Sequence, residues 1–473
     1  MTPVFEPGFP LSARRLSTGW HWLQVRGEQM AVNGICVLFL VVQLNNIRHH
    51  AYWGQDRDSH QRFTELVFDG SGRWLFMDAT NRPLVYWIGG ICRAVTHDRH
   101  TYELAALFFV GLCIAALQLL HSCLREISGS APVRILALAF VGFLPVTIIT
   151  SVVYAADTAA IFPFALLAWS LIRSLQDASP ERATGYALLA CLALCLGNLA
   201  KILFLVLSPA VLLLALLLWR RGNVPGRRAA MIGLVVAVVP AIFGGWICWQ
   251  SRLQLREVKP RHTFDWRGTG EMTWRSLLWV RRADLAILQA PGYWDSSIQQ
   301  GKSVRPPLLE DNRHSYPALL ALGIFTDVMD IANNGSLDDG QAPRPEPQKS
   351  LSCWAIRGGV IFFGLTFLAV AANTWRIFSA VFWRGRPPSV ALTVWMVLAF
   401  AWSLPVVAAL PFVHHAYDWG YWLPRLVLPS VWGFAVVLFA ALDRVVSHRP
   451  RWKALLAIAV LAQCAVQVGS VWY

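Results

Sequence analysis

Residues 231–249 read MIGLVVAVVPAIFGGWICW, nineteen positions without one charged side chain. As a helix the run is about 28 Å long, at 1.5 Å per residue. That matches the ~30 Å hydrocarbon thickness of a bilayer. Lipid supplies no partner for loose backbone N–H and C=O groups, so a run placed there has to be helical. Two further runs, Val206–Leu218 and Val360–Ala372 with their flanks, have the same character. The expected class is therefore an all-α polytopic membrane protein.

The rest of the chain agrees. Of its 473 residues 56% are hydrophobic and 14% charged, against about 25% charged in an ordinary soluble domain. Many of the 23 Trp lie near the ends of apolar runs, as in the aromatic belts of membrane interfaces. About eleven spans are expected, near 30–47, 102–121, 133–152, 158–175, 184–200, 202–219, 229–249, 353–374, 390–410, 424–442 and 454–471. Residues 83–95 are apolar but too short to cross, and read as interfacial. The first span follows a hydrophilic lead without a small-residue cleavage site, so it is expected to be an uncleaved anchor.

Alternate loops carry the basic residues. One side holds Arg14, Arg15 and Arg26, then Arg125 and Arg134, then Arg173 and Arg182. It continues with Arg220, Arg221, Arg227 and Arg228, with Arg376, Arg384 and Arg386, and with Arg444, Arg449, Arg451 and Lys453. Positive loops stay in the cytoplasm. Most of the net charge of +14 is this topological signal plus attraction to anionic lipid headgroups. No basic, aromatic-interleaved module argues for nucleic acid. The chain divides into an N-terminal transmembrane module at 1–249 with a first outer loop at 48–82, a long extracytoplasmic loop at 250–352, and C-terminal transmembrane helices at 353–473. No internal repeat stands out, and 335–350 (GSLDDGQAPRPEPQKS) reads as a flexible strap.

Polar sequence accumulates on the outer side, where long connections usually carry function. The first loop has His50-Ala-Tyr-Trp-Gly-Gln-Asp56-Arg57-Asp58-Ser-His60. Its acids read either as solvated loop residues, with Asp58 capping a helix through Phe63 to Phe68, or as a general base beside a substrate hydroxyl. The loop ends in Asn81-Arg82-Pro83-Leu84-Val85-Tyr86-Trp87, where Pro opens a helix in the ordinary way. Asp157, in Tyr154-Ala-Ala-Asp157-Thr158, turns one apolar run into the next. A charge at such a depth is costly and commonly functional or paired, though a helix start lowers the cost. Lys201, in Leu196-Gly-Asn198-Leu-Ala-Lys201, either snorkels to the interface or binds an anion such as phosphate. Arg425, in Asp418-Trp-Gly-Tyr421-Trp-Leu-Pro424-Arg425-Leu-Val-Leu-Pro429, suits bidentate phosphate recognition.

Taken in order, these segments resemble the C-type (GT-C) glycosyltransferases, polytopic enzymes that take a sugar from a polyprenyl-phosphate carrier. The likeness is to the lipid A aminoarabinose transferases and protein O-mannosyltransferases. Asp56-Arg57-Asp58 resembles the acidic motif of their first outer loop. Arg82-Pro83-Leu84-Val85-Tyr86-Trp87 matches their K/H-P-P-L-x-Y-W segment with one Pro missing. Ala156-Asp157-Thr158 is similar to their N-D-x turn without the Asn. Gly197-Asn198-Leu199-Ala200-Lys201 echoes G-L-A-x-L-T-K. The segment from Tyr421 to Pro429 is a looser counterpart of R-Y-L-x-P with the Arg displaced. The likeness covers about 30–220 and returns near 415–435.

The resemblance implies a sugar donor carried on polyprenyl phosphate, an acceptor that is a lipid, glycan or protein, and transfer at the extracytoplasmic face of the plasma (inner) membrane. It implies that Asp56 or Asp58 is the catalytic acid–base group, and that Lys201 and Arg425 stabilise the departing phosphate. Asp157, His60, Arg82, Tyr86 and Tyr421 become substrate-binding candidates. A single displacement inverts the anomeric centre. Some members use a divalent metal and others none, so cofactor use stays open. His49-His50, His60 and His414-His415 are the metal candidates and equally read as interface residues. Arg313-His314-Ser315-Tyr316-Pro317 and an amphipathic stretch at 318–331 are expected against the membrane surface. The nine Cys read as small apolar residues, with a Cys248–Cys353 bridge only a guess. The competing class is a transporter or flippase of a lipid-linked substrate, which inverted repeats or paired broken spans would signal.

Overall fold

A computed structural model of the chain describes residues 11–49, 64–65, 67–68, 82–97, 99–222, 224–258, 316–325, 346–382, 388–409 and 424–472. Among the described residues every regular element is helical. In chain order they are α1 (Leu11–Arg48), α2 (Pro83–Thr96), α3 (Thr101–Arg125), α4 (Ala131–Gly142), α5 (Pro145–Val152), α6 (Ala156–Gln176), α7 (Pro180–Ala200) and α8 (Phe204–Arg220). Next comes α9, continuous from Gly226–Met231 through a wider π-wound stretch at Ile232–Val238 into Val239–Val258. The last five are α10 (Tyr316–Phe325), α11 (Glu346–Phe382), α12 (Val390–Ala409), α13 (Leu428–Val446) and α14 (Pro450–Ser470).

The described residues contain nine helices long and apolar enough to cross a bilayer, and the bent pair α4–α5 makes a tenth. Phe204–Arg220 is a shorter apolar helix. A helix thus stands at each of the eleven expected positions. The protein is an integral, multi-pass membrane protein. Large apolar side chains such as Val41, Leu188, Leu213, Ile242, Ile361, Leu368 and Ile458 lie exposed along the spans, as lipid-facing surface requires. The core between them is apolar and aromatic, with Phe109, Phe164, Trp395, Trp402 and Trp432 almost wholly enclosed.

Local sequence explains the breaks. The expected span at 133–152 bends by 55° between α4 and α5. Leu144 precedes Pro145, which disfavours helix at Leu144 and removes a donor; the chain restarts with Thr147 N–H and Ile148 N–H both on Leu144 O. Ser179 caps α7, its hydroxyl accepting from Arg182 N–H at 3.4 Å, with Pro180 in the first turn. At the far end of α7, Lys201 is extended (φ −153°, ψ 142°) and separates α7 from α8.

Four expectations are adjusted. The tenth helix spans Tyr316–Phe325 and is apolar on every side rather than amphipathic; Ala321, Ile324 and Phe325 are buried and the helix packs on α5 and α11. The strap at 335–350 is helical from Glu346 onward, and α9 runs on to Val258, past the boundary expected at 249. Cys248 and Cys353 are both free thiols.

At the end of the bundle where α1 enters its span, buried charges tie four helices together. Glu28 of α1 receives Arg134 of α4 through Nε and Nη2, both at 2.7 Å, and His121 of α3 at 2.8 Å. Arg134 Nη1 also donates to Ser128 O at 2.7 Å, and Ser128 Oγ donates to Asp443 of α13 at 2.9 Å.

Candidate functional site

At the opposite end of the bundle three charged side chains meet. Asp157 stands in the first turn of α6, Lys201 at the end of α7, and Arg425 in the helical turn ahead of α13. Lys201 Nζ pairs with Asp157 Oδ1, and Arg425 Nε lies 2.9 Å from Asp157 Oδ2. All three are buried, at 7%, 4% and 6% exposure respectively. One carboxylate therefore holds two cations, and the cluster carries a formal charge of about +1. Buried charges persist only when paired and hydrogen-bonded. The net positive charge of these three described side chains has the sign that attracts an anion.

Each residue is placed by packing that can be traced. A Cβ at Gly197 would stand 2.0 Å from the Phe204 ring, so only Gly there lets the chain fold back under α7 and leave Lys201 extended at the turn. The Phe204 ring meets Trp402 edge-on, with centroids 5.0 Å apart, and Trp402 meets Phe164 of α6 at 5.5 Å. Trp402 Nε1 then donates to Leu426 O at 2.8 Å. One indole from α12 thus fixes the peptide beside Arg425 while touching the helix that carries Asp157 and the helix that follows Lys201. Ahead of Asp157, the Thr158 hydroxyl donates to Thr150 O and Val153 O, closing the tight turn between α5 and α6. Neither Trp402 nor Phe204 belongs to any motif, and nothing separates Trp402 in the sequence from the 22 other tryptophans.

Arg82 stands at the N-cap position of α2, with no capping bond from its side chain, and is wholly buried. Its Nη2 donates to Cys248 Sγ of α9 at 2.9 Å. Tyr86, one turn on, is also fully enclosed. The helix bearing both packs on the turn that carries Asp157: Tyr154 Oη donates to Val85 O at 3.1 Å and shares a 2.7 Å hydrogen bond with Thr64 Oγ1. A Cβ at Gly89 would meet that phenol oxygen at 1.7 Å, so Gly is required where α2 crosses it. Of the first loop, Thr64, Glu65, Val67 and Phe68 are described and are helical, in the stretch where a helix through Phe63 to Phe68 is expected.

Asp56, Asp58, His60 and Tyr421 lie outside the described residues, as do His50, His414 and His415. His49 is exposed at the end of α1. Among the described residues no three His, Cys, Asp or Glu side chains come together as a metal would need. The Asp157 cluster itself does not suit a divalent metal, because Lys201 and Arg425 already place two positive charges on the one carboxylate.

No family model matches the sequence, and no curated protein is similar to it in sequence. Solved structures of similar fold include a protein O-mannosyltransferase complex of S. cerevisiae bound to its sugar donor, 16% identical, covering 49% of this chain and 33% of that one, with a TM-score of 0.37. The apo oligosaccharyltransferase of Archaeoglobus fulgidus is 12% identical over 93% of this chain and 56% of its own, with a TM-score of 0.48. ArnT of Cupriavidus metallidurans bound to undecaprenyl phosphate is 16% identical over 90% of this chain and 78% of its own, with a TM-score of 0.37. The chain spans between a third and just over half the length of the first two.

Proposed function

We propose that this protein is a C-type membrane glycosyltransferase that moves a sugar from a polyprenyl-phosphate carrier to a lipid, glycan or protein acceptor, with inversion, at the extracytoplasmic face of the inner membrane. The observation that carries the reading is the buried cluster of Asp157, Lys201 and Arg425. Three span ends place two cations on one acid, in surroundings where charge on a ligand is felt strongly.

In this reading the lipid phosphate sits against Lys201 and Arg425, with Arg82 close by and the isoprenoid tail among the spans. Asp56 or Asp58 takes the proton of the acceptor hydroxyl. The hydroxyl oxygen bonds to the anomeric carbon as the bond from that carbon to the phosphate oxygen breaks. The electron pair leaves with the phosphate, where the cations are already in place to receive it. Asp157 holds Lys201 and Arg425 in position and is not the base. Tyr86 shapes the wall beneath the first loop, and His60 and Tyr421 contact the substrate.

The test is transfer by purified protein in liposomes from a panel of radiolabelled polyprenyl-phosphate sugars to membrane extract, beside Asp56→Asn and Asp58→Asn. Label reaching an acceptor in the parent, and lost in one folded Asp variant, supports the reading and identifies the acid. No transfer from any donor, with labelled lipid crossing the bilayer at equal rates in parent and variants, would replace it with a transporter.

A further inference from the structure

Cys248 belongs to no motif, and its neighbourhood is unusual. The guanidinium of Arg82 is enclosed, with 0% exposure. Its single hydrogen bond among the described residues is the one from Nη2 to Cys248 Sγ at 2.9 Å. The Nε and Nη1 donors have none. Leaving such donors unmet is costly, roughly 1–3 kcal/mol for a polar group and more for a charged one, and a buried group of that kind in a native fold asks for an explanation.

The location supplies one. Helices α7 and α9 cross tightly at Asn198, whose Nδ2 donates to Pro240 O at 3.0 Å and whose amide a Cβ at Gly244 would meet at 2.7 Å. The two helices run in the same sense, since α8 returns between them. Cys248 is four residues beyond Gly244 on the same face of α9, and Lys201 is three beyond Asn198 on α7. Each step is about 4.5–6 Å along its axis. Arg82 and Lys201 therefore lie toward the same end of the crossing, and the unmet donors of Arg82 belong to the same end of the bundle as the Asp157 cluster.

The chemistry of sulfur matters here. A thiol is a weak and neutral acceptor. It can fix the direction of the guanidinium fork without cancelling its charge, whereas a carboxylate in its place would hold the fork harder and neutralise it. We infer that Cys248 is a positioning residue: it orients Arg82 so that the remaining donors meet the phosphate of a lipid-linked donor. The inference rests on the transferase reading above.

The experiment measures binding of undecaprenyl phosphate, with undecaprenol as the uncharged control, to purified parent protein and to Cys248→Ala, Cys248→Ser, Cys248→Asp and Arg82→Gln, each checked for a monodisperse elution profile. Cys248→Ala is expected to weaken undecaprenyl phosphate binding about tenfold, the scale of one lost charge-assisted contact. Cys248→Ser, which keeps an acceptor, recovers most of that loss. Cys248→Asp binds no better than Cys248→Ala, although its grip on Arg82 is stronger, and undecaprenol binding is the same throughout. In turnover the Ala variant shows a raised KM with kcat near that of the parent. A merely structural thiol would give none of this order. Equal binding by parent and Cys248→Ala, or a Ser variant no better than Ala, overturns the inference while Arg82→Gln still loses binding and the transferase reading stands. Failure of the parent itself to bind undecaprenyl phosphate above undecaprenol removes both.

Discussion

Asp157 is the residue on which two cations depend, and its removal has two separable consequences. Asp157→Asn takes from Lys201 and Arg425 the carboxylate they share, a change that costs about 3–5 kcal/mol when one partner of a buried pair is lost. Thermal unfolding in detergent should show it as a clear fall in midpoint. The double variant Asp157→Asn with Lys201→Met removes one of the stranded charges, so it should recover at least half of the loss; a double variant as unstable as the sum of the singles would mean that the pair is not coupled. Lys201→Met alone keeps Asp157 paired with Arg425 and should fold, yet transfer should drop roughly 10²–10³-fold in kcat, the cost typical of deleting one donor to developing charge. A Lys201→Met enzyme with parental kcat would refute its role at the leaving phosphate. The sequence made these three residues visible one at a time, because a charge at the end of an apolar run is conspicuous against its surroundings. Their meeting was not visible. Asp157 and Lys201 are one helix pair apart, but Arg425 is separated from both by more than two hundred residues, and no local pattern encodes that approach. Trp402 was hidden for another reason: an indole within a span looks like any other, and its importance comes from the carbonyl of Leu426 that it finds.

Among the elements, helices in lipid gain little from hydrophobic contact with one another and associate through close packing instead. The crossing of α12 and α13 depends on that. A Cβ at Gly433 would lie 2.7 Å from Ala399 Cβ and 3.3 Å from Trp395 O, while Ser430 Oγ donates to Ala399 O at 2.7 Å in the same seam. Neither obstacle is the end of a flexible side chain. Gly433→Ala should therefore destabilise by about 1–3 kcal/mol, and Ala399→Gly in the same chain should relieve it; thermal midpoints of the two single variants and the pair decide the matter. Since α13 follows directly from the turn bearing Arg425, the Gly433 variant should also lose lipid phosphate affinity in proportion to the displacement. Span positions were legible because apolar length is a property of the sequence alone. The bend at Pro145 was less so: Pro163, Pro209 and Pro405 sit inside helices that continue, since neighbouring helices make good the lost bond. At Leu144-Pro145 the chain instead abandons one helix and begins another. Of the stretch expected to be amphipathic at 318–331, the residues up to Phe325 form a helix that is apolar all round, and its polar residues Thr326, Asp327 and Asp330 lie outside the described residues.

For the whole molecule, the two ends of the bundle are built differently, and that difference carries the orientation. The end with Glu28, His121, Arg134, Ser128 and Asp443 is locked by a closed set of hydrogen bonds across α1, α3, α4 and α13. It is also the end toward which Arg125, Arg173, Arg220 and Arg444 close their helices. At the end with Asp157, Lys201, Arg425 and Arg82, the buried charged side chains among the described residues are three cations and one carboxylate. A fixed, basic end and an anion-receptive end suit the proposed transferase, in which the charged loops are retained in the cytoplasm and the lipid-linked substrate is met on the other side. The turn at Gly222, with φ +71°, joins α8 to α9 at the basic end, and the bend around Arg99 joins α2 to α3 at the other. A short epitope inserted after Gly222 should be reached by antibody only in permeabilised cells, and one inserted after Arg99 should be reached in cells whose plasma membrane is intact. Both insertions fall between helices, where added chain costs little. If the two epitopes label together, α3 to α8 do not cross as an odd set and the count of eleven spans is wrong. If they label on opposite sides with the Gly222 epitope outside, the count survives but the anion-receptive end faces the cytoplasm, where a carrier lipid would have to be charged and discharged on one leaflet.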